Sequence, residues 1–213
     1  SILHSLGKCR LTLTLGYNTA FFNVLQRVKR QTNLINMDGI EWQRDKWGVV
    51  AKAWFWLNER VGCWTGNHLI ADHPEIKKHL STRVRPVKIN MIPYGADEVL
   101  EADDTVLKRF HIVSGFFSVI IARPEPENSF LEIVSAFSQK QRDHKLVVLG
   151  TFLPDKKPYH RAVIDAASNE VVFPGAIYED RVVHALRFFS RFYLHGHRVG
   201  GTNPSLVEAL GAG

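Results

Sequence analysis

His195-Gly196-His197-Arg198-Val199-Gly200-Gly201-Thr202-Asn203-Pro204-Ser205-Leu206-Val207-Glu208 reads as a strand end, a glycine turn and a helix start in one line. Asn203 is a favoured N-cap residue, and Pro204 suits the first helical position because the N–H it lacks would be unpaired there. Gly200 and Gly201 let the backbone turn sharply ahead of the cap and approach a ligand closely. The run 191–195 reads as the strand that feeds this loop. Strand, glycine loop and helix N-terminus together predict an anion site over Gly200–Ser205, with Thr202, Asn203 and Ser205 in the loop and first turn and the helix dipole pointed at phosphate. Glu208 lies five residues past the cap. Helical side chains lean toward the N-terminus, so its acceptor-only carboxylate can reach the diol of a ribose whose phosphates rest on the loop.

Working outward, short β-rich runs alternate with helical patterns. Before the quoted stretch come strand 116–122, helix 129–137, strand 145–149, helix 158–167, strand 171–173 and helix 179–188. An earlier series reads as strand 11–15, helix 20–30, strand 32–37, a helix from Trp47, strand 68–71, helix 74–80 and strand 87–92. In the helix from Trp47, Val50, Ala51, Trp54, Leu57 and Val61 recur with amphipathic spacing. Alternation of this kind predicts an α/β chain with two Rossmann-like parallel-sheet layers, the strands being nearly continuous apolar runs of the buried kind. The acidic, polar stretch 96–106 divides them, giving an N-terminal domain over 1–95, a linker over 96–106 and a C-terminal domain over 107–213.

Composition narrows the function classes. Hydrophobic residues make up 45% of the 213, and charged residues 23%, which is ordinary for a globular protein. The longest apolar stretch, 48–57, contains Lys52 and is far below the ~20 residues that span a bilayer. No signal-peptide pattern opens the chain. Cys9 and Cys63 have no metal or disulfide-framework spacing, which fits a reducing, cytoplasmic setting. The net charge of +6 and pI of about 9.4 suit nucleic acid, an anionic membrane surface or a phosphorylated ligand. The basic residues are scattered and carry no nucleic-acid motif, so a phosphate-bearing substrate or a membrane surface is expected and nucleic acid is not. The first residue is not Met and the chain stops shortly after its last helix begins, which reads as a fragment with both layers truncated.

Gly201-Thr-Asn-Pro-Ser-Leu-Val-Glu208-Ala-Leu resembles the donor motif of family 4 retaining glycosyltransferases, which have the two-Rossmann GT-B fold. With His195-Gly-His197 before it, the segment is similar to the bacterial rhamnosyltransferase-like branch. The resemblance implies that Glu208 holds the nucleotide ribose. Gly200 stands where the family has its first glutamate, and His195 or His197 is expected to take over the contact with the sugar ring. Ala122-Arg123-Pro-Glu-Pro-Glu-Asn128 resembles the family's Gly-Arg-x-x-x-Glu-Lys loop, whose Arg and Lys clamp the donor pyrophosphate. Arg123 matches, and its planar guanidinium suits phosphate. Asn128 replaces the lysine.

In the N-terminal half, Asn36-Met-Asp38-Gly39-Ile-Glu41-Trp-Gln-Arg44-Asp-Lys46-Trp47 follows a strand and runs into a helix, at the edge where open α/β sheets bind ligands. Asp38 and Glu41 are candidate catalytic carboxylates that orient acceptor hydroxyls or receive a proton. An alternative reading has Asp38 capping a turn with Gly39. This segment, and Leu15-Gly-Tyr17-Asn18, resemble the same branch, which implies acceptor-side roles for Tyr17, Asn18, Gly39, Arg44 and Lys46. Trp54-Phe55-Trp56 puts bulk on more than one face of its helix. Core packing is the first reading, and contact with a membrane interface near a lipid-linked acceptor is the second.

The expected activity is therefore transfer of a sugar, rhamnose by resemblance, from a dTDP- or UDP-linked donor to a glycan or polyprenyl-linked acceptor with retention. No cofactor and no metal are expected, since no Asp-x-Asp motif is present. The expected location is cytoplasmic, with peripheral attachment at the inner face of the membrane as the second possibility. Two other readings share the fold: a sugar-nucleotide epimerase or phosphorylase, and a non-catalytic nucleotide-sugar-binding remnant.

Overall fold

Eight strands, all paired in parallel, carry the fold in the computed structural model, which describes residues 2–44, 46–199 and 201–213. They form two four-stranded sheets in two units. One unit is Ser1–Tyr94 with Val199–Thr202, and the other is Gly95–Arg198 with Asn203–Gly213. Among the described residues no helix is long and apolar enough to cross a membrane.

The first unit begins with a short helix, α1 (Ile2–Ser5), and its sheet runs β1 (Leu11–Leu15), β2 (Thr32–Asn36), β3 (His68–Ala71), β4 (Ile89–Met91) in sequence order. Its strands fall where the alternation placed them, but two expectations about faces are corrected. In β1, Leu11, Leu13 and Leu15 point away from the core and are exposed, so this edge strand is not a buried apolar run. Thr12 and Thr14 face inward instead, and both hydroxyls donate to Asn33 Oδ1, at 3.3 and 3.0 Å. The helix expected over 20–30 is a 3-10 turn at Ala20–Phe22 followed by α2 (Asn23–Val28).

The second correction concerns α3 (Val49–Thr65). Of the expected stripe, Val50, Trp54 and Leu57 lie in solvent, with Val50 86% exposed, while Ala51 and Val61 are half-buried. Its buried face is Phe55, Asn58, Glu59, Gly62 and Cys63, at i, i+3, i+4, i+7 and i+8. The helix docks by specific polar contacts more than by its apolar stripe. Asn58 Oδ1 accepts the Phe21 N–H at 2.9 Å. Glu59, almost fully buried, accepts from Trp42 Nε1 at 2.8 Å and pairs with His79 and Arg83. At Gly62 an added Cβ would lie 3.3 Å from Ala20 Cβ and 3.4 Å from Tyr17 Cβ, so the backbone itself is the packing surface. In Trp54-Phe55-Trp56 only Phe55 joins the core, against Trp47. The short α4 (Pro74–Ser81) follows β3.

The second unit orders its strands β7 (Val171–Gly175), β6 (Lys145–Leu149), β5 (Phe117–Ile121), β8 (Phe192–Tyr193). Phe117, Val119, Leu146, Val147 and Val148 have no exposed surface, as strands covered on both faces require. Each such side chain contributes about 1.5–3 kcal/mol by leaving water. The covering helices are α5 (Phe130–Ser138), α6 (Pro158–Asp165), α7 (Asp180–Phe188) and α8 (Pro204–Gly211). The polar stretch 96–106 is bound into this unit, where the Val99 N–H donates to Gly211 O at 2.8 Å. A 3-10 helix, Asp104–Phe110, follows and buries Leu107 and Phe110. The strand expected over 191–195 pairs through two residues only, Ser118 with Phe192 and Val119 with Tyr193. Because β6 and β8 flank β5 on opposite sides, the chain reverses direction across the sheet there. The carboxyl ends of β5 and β8 therefore mark the crevice where open α/β sheets bind ligands.

Candidate functional site

A cavity of about 770 Å³ opens at that crevice, within the second unit. Arg123 leaves the end of β5, Gly150 and Thr151 follow β6, and Ile177 and Tyr178 follow β7. The first two turns of α7 and α8, with the α8 cap, complete the wall with Asp180, His184, Asn203, Ser205 and Glu208.

The floor of the cavity is a buried cation that sequence reasoning did not single out. Arg187, on α7, is 7% exposed and pairs with Glu208. It also donates to Ser205 Oγ at 3.1 Å, and Ser205 Oγ lies 2.8 Å from the Tyr193 hydroxyl. Burial raises the pKa of Tyr193, so its phenol stays protonated. The signal for Arg187 was available: Asp180, His184 and Arg187 sit at i, i+4 and i+7 on one face, beside the apolar face Val182, Ala185 and Leu186 that packs on the sheet.

At the start of α8 the capping geometry is as the residue types predict. Asn203 Oδ1 accepts the Ser205 N–H at 3.0 Å. The Leu206 and Val207 N–H groups both donate to the Asn203 carbonyl. The first amides of the helix are thus satisfied internally, and the positive character of this wall comes mainly from Arg123, Arg187 and the helix dipole.

The loop after β5 and the loop after β8 are joined through Asn128. Its Nδ2 donates to the Arg123 carbonyl at 2.7 Å, and its Oδ1 lies 2.7 Å from His197 Nδ1. Ser129 Oγ donates to Gly196 O at 2.9 Å, and the Arg198 N–H donates to Glu127 O at 3.0 Å. Gly196 has to be glycine for this closeness, since an added Cβ would stand 2.5 Å from the Asn128 carbonyl oxygen. Asn128, expected as a donor contact in place of a lysine, lines the cavity while both ends of its carboxamide hold loops.

Of the donor-side residues expected from the sequence, the cavity brings together Arg123, Asn128, His197, Asn203, Ser205 and Glu208. Gly200 lies outside the described residues. Gly201 and Thr202 lie in the first unit, where Thr202 Oγ1 donates to the Asp72 carbonyl at 2.7 Å and its N–H to Asp72 Oδ2 at 3.0 Å. A Cβ at Gly201 would collide with the Asp72 carboxylate. His195 does not line the cavity; it stacks on Tyr193, and burial lowers its pKa.

The acceptor-side set lies in the first unit. Tyr17 is fully buried and its hydroxyl accepts the Glu41 N–H at 2.8 Å; burial raises its pKa far above the usual value. Glu41 is committed to Arg44, with Nε–Oε1 at 2.9 Å, and to Trp47 Nε1 at 3.2 Å. Arg44 is buried, and the Lys46 ammonium sits over the Trp47 ring at 5.0 Å. Gly39 is buried with φ of +64°, a left-handed turn conformation that favours glycine. Asp38 is exposed. The Asn18 carbonyl accepts from Trp54 Nε1 at 3.0 Å.

This site and fold define a class: a two-sheet parallel α/β chain with a polar, cation-floored crevice at a switch point. Residues 10–97 match a family described as Domain of unknown function (DUF1972). No curated protein matches the chain. Solved structures match over most of it. HepE from Anabaena, in complex with UDP and glucose, is 14% identical with a TM-score of 0.67, over 91% of this chain and 55% of its own. TarM from S. aureus is 10% identical with a TM-score of 0.70, over 99% of this chain and 42% of its own. The UDP-N-acetylglucosamine 2-epimerase of Rickettsia bellii is 10% identical with a TM-score of 0.58, over 90% of this chain and 52% of its own. The fold is therefore of the GT-B type, and the chain spans about half the length of the structures it resembles.

Proposed function

We propose that the second unit binds the nucleoside diphosphate part of a sugar nucleotide, and that the chain is part of a glycosyltransferase. The observation that carries this reading is the cavity at the ends of β5 and β8, where Arg123, Arg187, Asn203, Ser205 and Glu208 converge. When the bond between the sugar's anomeric carbon and the diphosphate oxygen breaks, negative charge grows on the leaving group. The guanidinium of Arg187, fixed by Ser205 and Glu208, and that of Arg123 at the rim offset that charge better than water does. Glu208, about half exposed in its side chain and steered by Arg187, presents acceptor oxygens suited to a ribose diol. His197 is the histidine positioned for the sugar, through its bond to Asn128.

The finer parts of the proposal rest on the motif resemblance: a dTDP- or UDP-linked donor, rhamnose as the sugar, retention, a glycan or polyprenyl-linked acceptor, and chemistry without a metal or cofactor. UDP is the first nucleotide to test, because UDP is bound in the HepE structure. On the acceptor side, Tyr17, Asn18, Asp38, Gly39, Glu41, Arg44 and Lys46 keep the roles the resemblance gives them, with Asp38 the exposed carboxylate. A cytoplasmic chain resting on the membrane face is part of the same proposal, supported by the exposed Val49, Val50, Trp54 and Trp56 on α3.

The test is a thermal-shift screen of UDP, dTDP, GDP and ADP. Stabilisation by UDP or dTDP that is lost in Arg123→Ala and in Glu208→Ala supports the assignment; no response to any nucleoside diphosphate sinks it. The fold likeness to an epimerase favours one competing reading. A product assay on UDP-sugars without acceptor separates the two, since only an epimerase would turn over.

A further inference from the structure

A second cavity, of about 680 Å³, lies within the first unit and is lined by cations. Arg27 comes from α2, Arg60 from α3, Arg83 and Arg85 from the segment after α4, and Lys88 from the 3-10 turn just before β4. Among the described residues no carboxylate lines it. Arg83 is neutralised by buried Glu59. The Arg60 guanidinium carbon sits 3.3 Å from the Trp56 ring centre, and that of Arg27 5.2 Å from the Trp64 ring centre. Lys88 donates to the Cys63 carbonyl at 2.5 Å. Among the described residues Arg27, Arg60, Arg85 and Lys88 have no ion-pair partner.

Four cations in one concave site repel each other, and burial together with the Arg27 charge pushes the Lys88 pKa down. The wider charge distribution points the same way. Residues 1–94 hold 14 Lys and Arg against 6 Asp and Glu, whereas residues 95–213 hold 13 against 15, so the whole positive excess belongs to the first unit. A fold that gathers guanidiniums from separate elements around a cavity, and leaves them without counter-charge, suits an anion with several oxygens.

We propose that this cavity is a binding site for a phosphate-bearing anion, held by Arg27, Arg60, Arg85 and Lys88 and separate from the cavity of the second unit. The ligand chemistry is a phosphomonoester or diphosphate group, either free in solution or as the headgroup of a lipid. Trp64, in the wall beneath Arg27, is a built-in reporter. This inference does not depend on the glycosyltransferase reading.

The experiment titrates the whole chain with sodium pyrophosphate in one arm and with phosphatidylcholine vesicles containing phosphatidic acid in the other. The readout is the change in tryptophan fluorescence that disappears in Trp64→Phe. The expected result is a saturable Trp64 signal in at least one arm, weakened about tenfold or more in the double variant Arg27→Gln/Arg85→Gln. Both arginines are exposed, so that variant is expected to keep its fold; Arg85→Glu alone serves as the second variant if it does not. A pyrophosphate response identifies a free phosphate ligand, and a response to the acidic vesicles alone identifies a headgroup. No Trp64 signal in either arm, or an unchanged signal in the charge variants, overturns the proposal.

Discussion

Gly196→Ala is the sharpest probe of how the second unit builds its cavity. The new methyl would stand 2.5 Å from the Asn128 carbonyl oxygen, 2.9 Å from Ile133 Cδ1 and 3.0 Å from Ser129 Cβ. Ordinary contact requires about 1 Å more from the first of these. Asn128 O and Ser129 Cβ are held by the backbone at the start of α5, so they cannot swing aside as a flexible side chain would. Separating the two loops by that amount breaks the 2.7 Å His197–Asn128 bond and the 2.9 Å Ser129–Gly196 bond, because neither survives near 3.6 Å. Overpacking costs about 1–3 kcal/mol and each lost hydrogen bond about 1 kcal/mol, so the sum is on the order of 3 kcal/mol. For a chain of this size that corresponds to a melting temperature lower by roughly 10 °C. Differential scanning calorimetry is the assay, with Gly95→Ala as control, since nothing lies within 4 Å of a Cβ there and it is in neither a helix nor a strand. If Gly196→Ala melts within a degree of Gly95→Ala, the loops are not locked as described.

Other expectations follow from the same contacts. Glu59→Leu leaves Arg83 and His79 without their buried partner; by analogy with broken buried pairs it costs about 3–5 kcal/mol, read as a melting point of the first unit lower by on the order of 10 °C. Asp103 is held down to a pKa of about 2 by Thr105 and Arg181. Its folded pKa lies below the unfolded value, so its contribution is present above about pH 4 and is lost as the pH falls toward 2; Asp103→Asn should flatten the acid limb of a stability-versus-pH curve without altering stability at pH 1. Burial raises the Cys63 thiol to about 11, so at pH 8 iodoacetamide should label one cysteine per native chain, exposed Cys9, and two in denaturant. Mass spectrometry reads the difference, and rapid native labelling of Cys63 would contradict its burial.

Much of the architecture was legible because its signals are local. Phe117-Ser-Val-Ile-Ile121 and Lys145-Leu-Val-Val-Leu149 are apolar runs of strand length, and they became the two central strands of the second sheet. Asn203-Pro204 marked the start of α8 to the residue. Faces were less legible. Most of the expected apolar stripe of α3 is solvent-exposed because Asn58, Glu59 and Gly62 make the contacts that seat the helix, and hydropathy ranks Asn58 and Glu59 as surface residues. In β1 the threonines face inward because Asn33 on the next strand accepts their hydroxyls, a pairing across some 20 residues.

The site shows the same division. Arg123, Asn203, Ser205 and Glu208 came from motif and cap, and all four reach one cavity. Arg187 was hidden because it meets Glu208 from another helix, 21 residues away. Asn128 looked like a lost positive charge, and in the fold its carboxamide joins two loops. The amides of α8 looked like the phosphate cradle, yet the cap that identified the helix also consumes them.

The central claim is tested most directly by isothermal titration of UDP and dTDP into the chain and into Arg187→Gln. The account predicts one nucleotide per chain, with affinity about tenfold or more weaker in Arg187→Gln, since a charge-assisted contact contributes about 1.5–3 kcal/mol. Absence of binding by either nucleotide, or equal affinity in the variant, would contradict it.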